Sequence, residues 1–250
     1  MDFRRQLLAQ IRSNIERSGR HIYAVGGGAA PPFYYTIGLY PKHGAELVLA
    51  GGLGLPPGAV GHLIDQAARH LESLLKPEDF KFEFPDCGRW QLRRADPSWS
   101  ERLLLGAHDY WDKRVPAWQL VPDAEHTTID IPNLAVPFCV EPTWRFFHED
   151  WPYSVEAGCP VMTHLDALKG ELIRKLVRWK SDFWEMYASA GQEVDESKVV
   201  DMPLGVLVAY DPTLTAVMDL PVGSGLERTM LEPGKPGPWK VWAPAPPASN

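Results

Sequence analysis

The sequence predicts an α+β protein of two domains, each a mainly antiparallel sheet with packed helices. Helical and strand-like periodicities come in clusters rather than in regular βαβ alternation, and glycine and proline turns separate the short strand-like runs. Charge also divides the chain. Residues 1–126 hold fifteen basic and fifteen acidic side chains, whereas residues 127–250 hold ten and seventeen, so the whole net charge of -7 lies in the second half. That change places a boundary near "PDAEHTT", giving domains over 1–125 and 126–245.

In the first domain, Phe3, Leu7, Leu8, Ile11 and Ile15 recur at helical spacing, and Gly19 is placed to end that helix. The runs "HIYAV", "FYYTIGL" and "ELVLA" read as strands of an antiparallel meander. A second helix is expected within "PPGAVGHLIDQAARHLESLL", with Val60, Ile64, Ala67, Leu71 and Leu74 as its apolar stripe and the prolines in its first turn. "FKFEF" and "GRWQLRR" follow as strands. A third helix is capped by Asp96 with Pro97 at its first position, and "AWQLVPD" closes the domain as a strand.

In the second domain, "TTIDI", "PFCV" and "TWRFF" are expected to be strands. One long helix is expected from His164 to Ser189, with Thr163 and Asp166 as a capping box and Gly191 as its stop. Leu165, Leu168, Leu172, Leu176, Phe183 and Tyr187 form its stripe. "LGVLVAY" and "LTAVMDL" read as strands, and the last eight residues of the Pro-rich tail as disordered or extended.

Composition excludes several classes. No apolar run approaches the roughly 18 to 20 residues that span a bilayer, and charges interrupt the N-terminus where a signal peptide needs an apolar core, so a cytoplasmic protein without membrane attachment is expected. The acidic second half repels nucleic acid. Cys87, Cys139 and Cys159 are odd in number and lack CxxC spacing, which favours reduced thiols over a disulfide framework or a thiolate zinc site. "YAVGGGAA" and "AGGLGLPPG" match no phosphate-binding pattern, and no cofactor or metal is expected.

Catalytic patterns are weak. His148, Glu149 and Asp150 are adjacent, so on a strand they cannot all converge, and they read better as a solvated turn. Ser224 lies between glycines but lacks the G-x-S-x-G arrangement of a nucleophile elbow and any identifiable partners. Glu227 and Arg228 read as a surface or interface pair. In "FYYTIGLY", alternation puts Tyr34, Thr36, Gly38 and Tyr40 on one face, a candidate pocket wall if its hydroxyls converge with Glu46 or Asp123.

The motif Tyr35-Thr36-Ile37-Gly38-Leu39, then Ala45-Glu46-Leu47, then Gln119-Leu120-Val121-Pro122-Asp123, resembles a bacterial domain of unknown function, the forty-two sixty-two type, over residues 5 to 125. Ala45 stands where that pattern has proline. The resemblance implies no activity, but it marks Tyr35, Thr36, Gly38, Glu46, Gln119 and Asp123. The ligand-binding candidates are therefore Tyr34, Thr36, Tyr40, Glu46, Gln119 and Asp123. In the second half, "TWRFFHED", "VAYDP" and "DLPVGSGLER" are similar to an immunity-protein family, the thirty-three type, found beside bacterial polymorphic toxins. That resemblance implies a non-catalytic protein that binds a toxin and occludes its site, with Trp144, Glu149, Asp150, Trp151, Glu227 and Arg228 as partner-binding candidates. The alternative is a small-ligand protein or enzyme centred on the "YTIGL" strand.

Overall fold

The computed structural model describes residues 3–26, 28–56, 58–74, 77, 80–139, 141–188 and 198–242. The chain divides into two compact units. Residues 1–26, 32–127 and 131–140 form the first; residues 27–31, 128–130 and 141–250 form the second.

The first unit is built on a six-stranded sheet of β1 (His21–Val25), β2 (Phe33–Ile37), β3 (Glu46–Ala50), β4 (Lys81–Glu83), β5 (Arg89–Arg94) and β6 (Ala117–Pro122), in the order β1-β2-β3-β6-β5-β4. All neighbours are antiparallel except β3 and β6, which pair in parallel with Val48 opposite Gln119. A parallel pair needs a long crossover, and the segment between these strands supplies helix α3 (Ala59–Ser73). The expected stripe on α3 faces the sheet: Leu63, Ile64, Ala67, Ala68 and Leu71 are buried against Leu47, Leu49, Trp90 and Leu120. Each fully buried Leu or Ile there contributes about 2 kcal/mol. Gly58 caps α3, so Pro56 stays outside its first turn.

Helix α1 (Phe3–Ser18) ends at Gly19, whose φ of 78° suits a left-handed C-cap. Of its expected stripe only Ile11 is fully buried, and Phe3 is 77% exposed. Strand β2 stops at Ile37, because Gly38 turns the chain into the short helix α2 (Tyr40–His43). Gly38 adopts φ 135°, and a Cβ there would lie 2.6 Å from the Gly19 carbonyl oxygen. Asp96 caps α4 (Pro97–Leu103) by accepting from the Ser98 amide, and α5 (Leu105–Trp111) follows. These helices cover the sheet face opposite α3 at Tyr35, whose hydroxyl accepts from the Gly106 amide at 3.0 Å.

The second unit also has a six-stranded sheet, from β7 (Pro160–His164), β8 (Lys175–Lys180), β9 (Phe183–Tyr187), β10 (Val199–Pro203), β11 (Ser224–Glu227) and β14 (Lys240–Trp242). Its order is β10-β7-β9-β8-β11-β14, antiparallel except for β7 with β9. A small ribbon joins β12 (Met230–Glu232) to β13 (Lys235–Pro236).

Here the structure corrects the expected elements. The long helix does not form: after β7 comes α6, only Leu165–Leu168, and then the β8–β9 hairpin. Gly170 at φ 97° stops the helix, and "KLVRWKSDFWEMY" then alternates, burying Leu176, Trp184 and Met186 on one face. Thr163 lies in β7 and donates to the Met186 carbonyl, while the His164 ring accepts from the Asp166 amide as the cap. Gly191 and the last eight residues lie outside the described residues.

"TWRFF" is a 3-10 helix over Pro142–Phe147, and neither "TTIDI" nor the described part of "PFCV" is a strand. "LGVLVAY" is helix α7 (Leu204–Tyr210), buried at every residue from Leu204 to Ala209. An apolar run of that kind carries no period to distinguish helix from strand. "LTAVMDL" is led by a second 3-10 helix, Pro212–Val217. Cys87, Cys139 and Cys159 are free thiols.

One ion pair closes this unit. Arg228 and Asp211, whose side chains are 1% and 2% exposed, meet at 2.6 Å. Arg228 also donates to the Ile173 carbonyl at 2.7 Å and to the Thr213 hydroxyl at 2.6 Å, and it stacks 4.2 Å from the Trp239 ring centre. Asp211 in turn caps the second 3-10 helix through the Thr213 amide. Arg228 is thus a core residue, not a surface partner of Glu227. Replacing Arg228 with Met strands a buried carboxylate and is expected to cost about 3–5 kcal/mol. Urea denaturation measures this. The double variant Arg228→Met/Asp211→Asn should recover part of the loss, and a single variant within about 1 kcal/mol of wild type would refute the clamp.

Candidate functional site

Strand β3 begins with Glu46, which is fully buried, so its carboxylate must find donors within the protein. Five donors reach it. The Thr36 hydroxyl donates at 2.8 Å, the amides of Gly38, Leu39 and Tyr40 at 2.9, 3.0 and 3.2 Å, and the Trp111 indole at 3.1 Å. The Thr36 oxygen itself accepts from the Leu47 amide at 2.9 Å. Burial pushes the Glu46 carboxyl above its ordinary range, and the Gly38, Thr36, Leu39 and Tyr40 donors pull it back. The arrangement braces a turn, with both carboxylate oxygens filled.

The hydroxyls expected to share one wall diverge. Thr36 turns to Glu46. Tyr34 is half-buried against the α3 core, where burial raises its phenol pKa. Tyr40 is not on the strand: it opens α2, packs 6.1 Å from Trp111, and has the Lys113 ammonium 4.5 Å from its ring centre.

Gln119 is 1% exposed and works as a bracket, its amide donating to Pro132 at 2.7 Å and its carbonyl accepting from Leu134 at 3.0 Å. It thereby ties residues 131–136 over β6, helped by the Trp99 indole on the Val136 carbonyl at 3.1 Å. Asp123 accepts from the Arg89 amide at 2.8 Å and from the His126 amide and ring at 3.1 and 2.7 Å. Those donors, the Arg89 amide first, hold its carboxyl well below the ordinary 3.8. Gly88 makes room for this latch, since a Cβ there would fall 2.2 Å from the His126 ring.

Beyond the bracket the sheet face is uncovered. Arg89, Gln91 and Arg93 alternate on β5 with Trp90 and Leu92, which turn to the α3 core. Lys81 stands opposite Gln91, and Glu83 opposite Arg89. Two adjoining grooves of about 440 and 390 Å³ lie here and share Gln91 and Asp123. Of the ligand-binding candidates, Asp123 alone lines these grooves. Lys81, Arg89, Gln91 and Arg93 were not singled out from the sequence, although the alternation in "FKFEF" and "GRWQLRR" was their signal.

In the second unit, Trp144 is fully buried with its indole on the Asp130 carbonyl at 2.9 Å, so burial corrects its expected place on a binding surface. Glu149 and Asp150 are exposed, Glu149 holding Arg145 at 2.6 Å. Trp151 is half-buried and bonds the Val155 carbonyl, with Phe146 and Tyr153 packed edge-on at 4.9 and 4.8 Å. Glu227 is exposed at the end of β11. Among the described residues no group of three His, Cys, Asp or Glu side chains is placed to hold a metal ion, and no helix is long and apolar enough to cross a membrane.

The two sheets and their helices define a two-unit α+β protein. Residues 14–127, almost all of them in the first unit, match the family described as Domain of unknown function (DUF4262). The match supports a domain of unknown function within the N-terminal half of the chain. No curated protein and no solved structure matches the chain.

Glu46→Ala leaves five donors short of an acceptor and is expected to lose more than about 3 kcal/mol of stability in urea denaturation. A loss under about 1 kcal/mol would show that water replaces the carboxylate. For Asp123 the folded carboxyl titrates below its ordinary 3.8, so its stabilisation is present above pH 3.8 and is lost as pH falls through the folded value. Asp123→Asn should be less stable at neutral pH and lack that part of the acid decline. An acid limb superimposable on wild type would contradict the latch.

Proposed function

We propose that the protein acts by binding rather than by catalysis, and that its second unit neutralises a bacterial toxin by occupying it, in the manner of immunity proteins. The observation that carries this reading is the surface at Phe146, Trp151 and Tyr153, where three edge-packed rings adjoin the exposed carboxylates of Glu149 and Asp150. Aromatic anchors with a charged rim are what a protein partner recognises. The acidic excess of residues 127–250 favours a basic partner, because complementary charge speeds association. The similarity of "TWRFFHED" and "DLPVGSGLER" to an immunity-protein pattern supports the same reading.

The geometry of the first unit supports the non-catalytic part. Thr36 and Glu46 are engaged with each other, and Gln119 braces a loop, so the rival reading of a small-ligand pocket on the "YTIGL" strand draws no support from their contacts.

Affinity capture with the full-length chain, followed by mass spectrometry, is the test. The expected result is retention of a basic toxin. Trp151→Ala should then weaken binding by roughly thirtyfold, as loss of an aromatic anchor does. Glu149→Lys/Asp150→Lys should slow association and flatten its salt dependence. Retention of no toxin, or a toxin bound equally by wild type and these variants, would refute the assignment.

A further inference from the structure

The first unit keeps many of its cations occupied. Arg4 holds Asp109, Arg20 holds Asp65 and Glu72, Arg69 holds Asp65, and Arg114 holds Glu101. The uncovered end of its sheet departs from that habit. Neither Lys81 nor Arg89 forms a side-chain ion pair among the described residues, although both belong to strands and so have fixed backbones. Arg93 uses one guanidinium nitrogen, donating to Asn133 at 3.1 Å, and faces no carboxylate within salt-bridge distance among the described residues.

The nearby carboxylates do not neutralise this set. Asp123 directs its oxygens to the Arg89 amide and to His126 instead of to a guanidinium. Glu83, across from Arg89 in the ladder, stays beyond ion-pair distance. Three cations thus stand against two carboxylates around two grooves of about 440 and 390 Å³, within the size range of small-molecule sites. The second groove adds an apolar floor of Val121, Pro122 and Ile131.

Spacing defines what fits. Alternate residues on one strand face lie about 7 Å apart, so Arg89, Gln91 and Arg93 form a row, with Lys81 beside its middle member. Separate guanidinium forks at the two ends of such a row suit two separate oxyanionic groups better than one.

We propose that this uncovered face of β4, β5 and β6 binds a small molecule carrying two oxyanionic groups, carboxylate or phosphate. Arg89 and Arg93 hold one group each, while Lys81 and Gln91 steady the part between them. The site belongs to the first unit and stands independently of the toxin-binding reading of the second.

Calorimetric titration of the full-length protein with adipate and with fructose 1,6-bisphosphate, whose anionic groups are separated by a six-carbon frame, at fixed ionic strength and with acetate as the single-anion control, tests it. At least one of the two should bind saturably and at least about tenfold more tightly than acetate. Adipate alone would assign carboxylate, and the bisphosphate alone would assign phosphate. Arg89→Gln/Arg93→Gln should weaken that binding about tenfold or more at an unchanged melting temperature. Lys81→Gln, at an exposed edge position, should weaken it severalfold and serves if the double variant is unstable. Binding of both probes no tighter than acetate, or undiminished binding by folded variants, would overturn the proposal.

Discussion

A buried carboxylate that must be met by donors organises the first unit. Glu46 sits at the start of β3, and its five partners come from the end of β2, the turn after it, and the last residue of α5. Leaving such a charge without donors inside a protein would cost several kcal/mol. The turn at Gly38, the start of α2 and the position of Trp111 are therefore constrained together. Gly38 can take part because it accepts both a positive φ and close approach to Gly19. With that corner set, Tyr35 lies under α5, and the α4–α5 pair covers half of a sheet face whose other half stays open.

The Glu46 cluster and the Arg228–Asp211 cluster solve the burial of charge differently. In the first, a lone anion is surrounded by neutral donors, three of them consecutive backbone amides. In the second, an anion and a cation are buried together, and Arg228 is completed by a carbonyl, a hydroxyl and an aromatic face. Both arrangements are directional. Hydrophobic burial alone would hold helix α7 or α3 in place without fixing the turns beside them, and these polar clusters fix the turns.

Much of the first unit was legible in the sequence because its punctuation is strong. Gly19 ends α1, Asp96 and Pro97 begin α4, and strands β1 and β2 are rich in β-branched and aromatic residues. The second unit was less legible because two periodicities overlap. Leu165, Leu168, Leu172 and Leu176 fit a helical stripe, yet Gly170 interrupts it, and Leu176 belongs to a period-two run that ends at Tyr187. Helix α7 is apolar on every side and offered no period at all.

The candidate site was legible only in its residue types. Glu46, Gln119 and Asp123 are chemically able to meet a ligand, but their actual partners are backbone groups and side chains that no local pattern reveals. The Trp111 indole, for example, lies 65 residues from the carboxylate it meets. The reverse holds for Arg89, Gln91 and Arg93. Their alternation is visible, but its meaning depends on which part of the sheet α4, α5 and residues 131–136 leave bare.

The chain does not finish one unit before entering the other. Residues 27–31 and 128–130 belong to the second unit, while residues 131–140 return to the first, where they are bound by Gln119 and Trp99. During synthesis, then, the first sheet waits for its last covering segment until residues well beyond β6 have left the ribosome. Early residues such as Ala29 wait longer still, since α7 closes against them with the Gly205 Cα side pressed to the Ala29 backbone. A chain ended near residue 140 would therefore hold every segment of the first unit, whereas a fragment begun there would lack residues 27–31 and 128–130 of the second.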